Sequence, residues 1–135
     1  MPETFPFVET DGGRKASTRS RQTNDCTVRA ITVATGLSYD EVYDILADLG
    51  RKCSKGWGIP KQFDIRGYRL QWQAFQAVKG ERRMNPVRFC REYPKGRYIG
   101  RTAKHVFAVI DGTVYDLYKE RDDRCIYGCW SVKEI

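Results

Sequence analysis

Histidine is almost missing from this chain: His105 is the only one in 135 residues. Cysteine is present in a pattern that builds little, since Cys26, Cys53, Cys90, Cys125 and Cys129 form no Cys-x-x-Cys pair. One imidazole and scattered thiols argue against a structural zinc site, whose ligands come in closely spaced pairs. The odd count gives no disulfide framework, and in a reducing compartment all five are expected as free thiols. No metal and no cofactor is therefore expected. No apolar run reaches 18 residues, which predicts no transmembrane helix and no membrane partner. The start, Met1-Pro2-Glu3-Thr4-Phe5-Pro6-Phe7, has neither the basic residues nor the apolar stretch of a secretory signal, so a cytoplasmic protein is expected. Internal repeats are lacking too, which removes solenoid and propeller architectures.

Acidic residues are in deficit, 17 against 24 basic ones, for a net charge of +7. Such a balance admits nucleic acid or an acidic protein surface as a partner. The basic residues gather in two places: Arg14, Lys15, Arg19 and Arg21 near the start, and Arg51, Lys52, Lys55 and Lys61 further on. No helix-turn-helix, zinc finger or RNP-like aromatic motif accompanies them, so only weak, non-specific nucleic-acid binding is expected. Hydrophobic residues at 41% and aromatics at 13% fit an ordered domain with a core, and the length fits one domain.

Residues 1–22, interrupted by Pro2, Pro6 and Gly12-Gly13, read as a basic irregular arm, and residues 23–135 as a single domain. Apolar residues Cys26, Ala30, Val33 and Leu37 predict a helix over 26–35, with Gly36 as its stop. Ser38-Tyr39-Asp40-Glu41 has the form of a capping box, opening a helix that carries Val42, Ile45, Leu46 and Leu49 and ends at Gly50. A strand is predicted over 69–75. Asn85-Pro86 is an N-cap followed by proline at the first helical position, for a short helix over 87–92. Strands follow over 97–101 and 124–132. The strongest β signal is Asp111-Gly112 between His105-Val-Phe-Ala-Val-Ile110 and Thr113-Val-Tyr-Asp-Leu-Tyr118, a hairpin with a two-residue turn. Helices first and strands later predict an α+β domain, N-terminal helices packed on a C-terminal antiparallel sheet.

Three residues in this layout carry chemistry. Cys26 opens a helix, where the dipole and unpaired N–H groups favour thiolate. In a two-residue hairpin the paired residue numbers sum to 223, so Phe107 faces Asp116 across the strands. His105 and Asp116 then become diagonal neighbours on one face. A carboxylate there fixes the imidazole tautomer and stabilises imidazolium. Cys26, His105 and Asp116 are thus candidate nucleophile, base and orienting acid. Each also has a plainer reading: Cys26 as a small buried apolar residue, His105 as a satisfied polar group at a strand start. Asp25 is expected to cap the helix that follows. An oxyanion donor comes from the side-chain amide of Gln22 or of Asn24, beside the Cys26 N–H. Trp57 and Trp130 are expected as packing residues.

Asn24-Asp25-Cys26 at a helix start, followed by His105 and Asp116 on a late hairpin, resembles a compact papain-like cysteine peptidase of the C39-like kind. Asp25-Cys26, Arg29-Ala30-Ile31 and Ala34-Thr35-Gly36 are similar to the ovarian-tumour deubiquitinases, where the third catalytic residue follows just after the histidine; Phe107 cannot serve. Nearly the whole chain resembles a group of small proteins from bacteria and their phages, through Asp11-Gly-Gly-Arg14, Asp25-Cys-Thr-Val-Arg-Ala-Ile31, Lys104-His105, Ala108-Val-Ile-Asp-Gly112 and Arg124-Cys-Ile-Tyr-Gly-Cys-Trp130. That group brings no substrate with it. Gln22 stands four residues before Cys26, closer than the oxyanion glutamine of C39-like enzymes. The resemblance implies a papain-like fold, phage or prophage origin, and hydrolysis of a peptide, isopeptide or related amide bond. Its alternatives are an inactive papain-like fold that binds or inhibits a host protein, and a basic nucleic-acid-binding module.

Overall fold

In the computed structural model, which describes residues 4–135, ten elements follow one another along the chain. They are β1 (Phe7–Glu9), α1 (Cys26–Thr35), α2 (Tyr39–Asp48), β2 (Gln62–Ile65), β3 (Tyr68–Ala74), α3 (Pro86–Glu92), β4 (Arg97–Thr102), β5 (His105–Ile110), β6 (Thr113–Asp116) and β7 (Gly128–Glu134). The strands form one seven-stranded sheet in the order β1-β6-β5-β4-β7-β3-β2. The class is α+β, as expected. The sheet departs from the expected antiparallel one at its edge, where β1 pairs parallel with β6, Glu9 opposite Asp116. The first 22 residues are accordingly not an irregular arm throughout. Phe5 is buried, and Pro6 O and Thr10 N bond to Val114 N and Asp116 O, closing the end of β6. Residues 1–3 of that segment lie outside the described residues.

The helix signals act as their residue types dictate. Gly36 ends α1 in the left-handed conformation at φ 82°, its N–H donating to Thr32 O. Ser38 caps α2 by accepting from Glu41 N, and Asn85 caps α3 by accepting from Arg88 N. The last strand begins at Gly128 rather than 124, because Ile126 N and Tyr127 N are taken by Met84 O and Arg101 O outside the ladder.

Alternating side chains divide the core in two. Val106 and Ala108 of β5 join Trp130 and Val132 of β7 against Val28, Ile31, Val42 and Leu46 of α1 and α2. Phe107 and Val109 join Cys129 on the other face, under Phe89 and Cys90 of α3. The period of two thus buries both faces of the central strands. The β5–β6 hairpin pairs Ile110 with Thr113, Val109 with Val114 and Ala108 with Tyr115, the two-residue turn read from Asp111-Gly112. Both turn residues have positive φ, 48° and 75°, as a type I′ turn requires. Asp111 is held there by accepting from Gly96 N.

Candidate active site

Packing α1 across the ends of β5 and β6 sets its first residue, Cys26, beside the first residue of β5, His105. His105 Nε2 lies 2.6 Å from Asp116 Oδ2, and Asp116 is buried. The half-buried Cys26 thiol lines the same cleft as the imidazole and is close enough to act on its charge. Burial works against the Cys26 thiolate. The hydrogen bond from His105, the Val106 N–H and the charges of His105 and Arg29 outweigh it and bring the thiol below its ordinary range. For His105, burial works against imidazolium, but Asp116 and Cys26 outweigh it and raise the ring to about 9. Both shifts run in the direction that favours a thiolate beside an imidazolium.

Asp25 does not cap α1. Its side chain makes no capping bond and is turned into the protein, almost fully buried. There it accepts from Arg14 Nη1 at 2.9 Å, Arg29 Nε at 3.1 Å and Tyr39 Oη at 2.8 Å. Two cations and a phenol outcompete the helix amides because a buried carboxylate needs charged partners. Arg29 continues the chain of contacts, donating from Nη1 to Asp116 Oδ1 at 2.9 Å, while Leu117 N donates to the same oxygen. Asp116 is thereby fixed from three sides, and an unbroken line runs Arg14–Asp25–Arg29–Asp116–His105. Sequence reading missed Arg29 and Tyr39; the i,i+4 spacing of Asp25 and Arg29 was the available signal.

The amides expected as oxyanion donors are engaged elsewhere. Gln22 donates to Cys53 Sγ at 3.1 Å and accepts from Ser54 N at 3.0 Å; Asn24 donates to Ser54 O at 3.1 Å. Neither lines the cleft. Both clamp the loop after α2, and Asn24 takes φ 51° to do so. With Asp25 turned away, the backbone amides at the start of α1 carry no side-chain cap.

The cleft at Cys26 has a volume of about 270 Å³ and is lined by Thr27, Gly56, Trp57, Gly58, Ile59, Arg101, Lys104, His105, Val106 and Trp130. Thr27 Oγ1 donates to Trp57 O, and Trp130 Nε1 to Pro60 O, so the glycine-flanked Trp57 loop is tied to α1 and to the sheet. Trp57 packs edge-on against Phe63. Both tryptophans therefore pack, as expected, and also form the wall beside the thiol. A larger hollow beside α3, lined by Arg82, Arg83, Arg88, Asp122 and Asp123 among others, contains neither cysteine nor histidine.

The other thiols differ. Burial pushes Cys90 up to about 11 and Cys129 up to about 12. Cys53 is exposed and lowered, through hydrogen bonds from Gln22, Tyr43 and Ser54. Among the described residues no group of three His, Cys, Asp or Glu side chains is arranged to hold a metal ion. Of the basic residues, Arg14 is bound to Asp25, and Arg19 to Asp40 and Asp44 at 2.7 and 2.5 Å, while Arg51 is buried. No helix among the described residues is long and apolar enough to cross a membrane. No family model matches the chain, and no curated protein and no solved structure matches it either.

Proposed function

We propose that this protein is a cysteine-nucleophile hydrolase of peptide, isopeptide or related amide bonds, organised as papain-like enzymes are. The observation that carries the reading is the position of His105, bonded to buried Asp116 and lining one cleft with the Cys26 thiol. A histidine serving only as a satisfied polar group needs one partner, not a thiol at a helix N-terminus as its second.

In this reading Cys26 Sγ attacks the carbonyl carbon of the amide, forming a C–S bond while the negative charge passes to the carbonyl oxygen. The Cys26 and Thr27 backbone amides, uncapped by Asp25, are the donors available to that oxygen. As the intermediate collapses the C–N bond breaks, and His105 gives its proton to the departing amine. Water then attacks the thioester, His105 takes its proton, and the acid leaves as the thiolate is restored. Asp116 keeps the imidazole oriented and stabilises its charged form throughout, and Arg29 holds Asp116.

The pH dependence of alkylation tests this. With iodoacetamide and site-resolved mass spectrometry, Cys26 should label rapidly at neutral pH, and its rate should be nearly flat from pH 7 towards 9. In this reading the imidazolium, present below about 9, holds the lowered Cys26 thiol as thiolate across that range. His105→Ala should slow Cys26 roughly tenfold at pH 7, since an ordinary thiol titrates near 8.5. Cys90 and Cys129 should stay unlabelled in the folded protein. A Cys26 rate that climbs about tenfold per pH unit, as for an ordinary thiol, and ignores His105→Ala would overturn the reading.

A further inference from the structure

The cleft is charged on one side only. Arg101 and Lys104 line it beside His105, and the same two residues also line an adjoining hollow of about 480 Å³ with Thr102, Ala103 and Tyr127. No acidic residue among those described lines either hollow. Several other cations are tightly paired, among them Arg14, Arg19, Arg29 and Arg69. Arg101 and Lys104 are both exposed and form no such pair among the described residues.

The backbone brings both residues to the rim of the cleft. Lys104 ends the two-residue turn between β4 and β5, where Thr102 pairs with His105, and has φ 61°. That left-handed conformation favours glycine or asparagine, so a lysine there is held against local preference. Arg124 Nη2 donates to Ala103 O and braces the turn. Arg101 pairs with Gly128, whose missing Cβ leaves room for the Trp72 ring, and the Arg101 guanidinium lies 5.9 Å from the centre of that ring. A guanidinium near the Trp72 ring and a lysine on a left-handed turn residue thus stand at the mouth of the cleft.

Building on the hydrolase reading, we infer that the substrate carries a carboxylate within a residue of the scissile amide, bound by Arg101 and Lys104. Its neighbouring apolar part lies against Trp57, Ile59 and Trp130. The carboxylate belongs either to an acidic side chain or to a chain terminus. Two exposed cations at the rim of a cleft with no acidic lining residue concentrate such a group and reject a cationic one.

Four thiol-reactive probes test this without knowledge of the natural substrate: the N-iodoacetyl derivatives of glutamate amide, of glutamine with a free α-carboxylate, of glutamine amide and of lysine amide. Their reactive ends are alike and they differ in charge. In low salt, Cys26 should react roughly three- to tenfold faster with a carboxylate probe than with glutamine amide, and slowest with lysine amide. Whichever carboxylate probe is faster identifies the source of the group. The preference should shrink in ~0.5 M salt and disappear in Arg101→Gln/Lys104→Asn. Lys104→Gly should lose most of it while raising stability, because glycine suits φ 61°. Arg121→Gln, which removes a cation outside the cleft, should keep it. Equal rates for charged and neutral probes, or a preference that survives the double variant, would overturn the inference. A neutral probe that reacts with Cys26 no faster than with a free thiol would instead remove the hydrolase reading, since the ratio among probes can still be read on a slow thiol.

Discussion

Asp25 is where local propensity and tertiary contact pull a residue in different directions. By position it is an N-cap, and losing an N-cap costs about 1 kcal/mol. In the fold it joins Arg14, Arg29 and Tyr39, and burial together with its hydrogen bond to Asp25 raises the Tyr39 hydroxyl. Replacing Asp25 with alanine would strand two cations and a phenol that are partly or wholly out of water. We expect Asp25→Ala to cost roughly 3 kcal/mol or more in urea denaturation, in the range for breaking a buried pair. A loss near the cap value would return Asp25 to an ordinary helix start. The same substitution loosens Arg29, and through it Asp116, so Cys26 alkylation should slow as well. His105 and Asp116, by contrast, were readable as a pair because a two-residue turn leaves one register only.

At the scale of elements, the junction of β3 and β7 carries the wall of the cleft. Gly128 faces Ala74 across that junction, and a Cβ on Gly128 would stand 2.3 Å from the Trp72 ring and 2.6 Å from Gln73 O. The ring can swing, but the carbonyl belongs to the ladder and cannot move without breaking it. Gly128→Ala should therefore destabilise the protein by about 1–3 kcal/mol, as overpacking does. It should also displace Trp72 from its contact with Trp130, whose ring centre is 4.6 Å away. Near-ultraviolet circular dichroism and a denaturation curve would check both; an unchanged spectrum would show that the junction yields elsewhere. The α3 cap and the hairpin were legible because each rests on neighbours in sequence. The parallel β1–β6 pair was not, since three residues with no alternation give no periodic signal and their partner lies over a hundred positions away.

For the molecule as a whole, ion pairing leaves the net charge at +7 but takes part of the N-terminal basic segment out of reach of a polyanion. Arg14, Arg19 and Arg29 neutralise Asp25, Asp40, Asp44 and Asp116 within the chain. Nucleic-acid binding measured by anisotropy should accordingly be weak and should vanish between ~50 and ~200 mM salt. Arg14→Ala and Arg19→Ala should lower stability more than they lower that binding. Tight binding that withstands salt and collapses with those two substitutions would make the basic segment the functional one.

Local grammar sufficed for much of this protein: the helix starts at Ser38 and Asn85, the stop at Gly36, the Asp111-Gly112 hairpin and the class of the fold. Each depends on φ, on a cap or on a side-chain period, quantities set within a few residues. Only the tertiary structure decided what Asp25, Gln22 and Asn24 do, because their partners, Arg14, Tyr39, Cys53 and Ser54, are distant side chains or loops. It also decided that Arg101 and Lys104 share a cleft with Cys26. Burial selects among the bonds a polar side chain is able to make, and burial is a property of the packed whole.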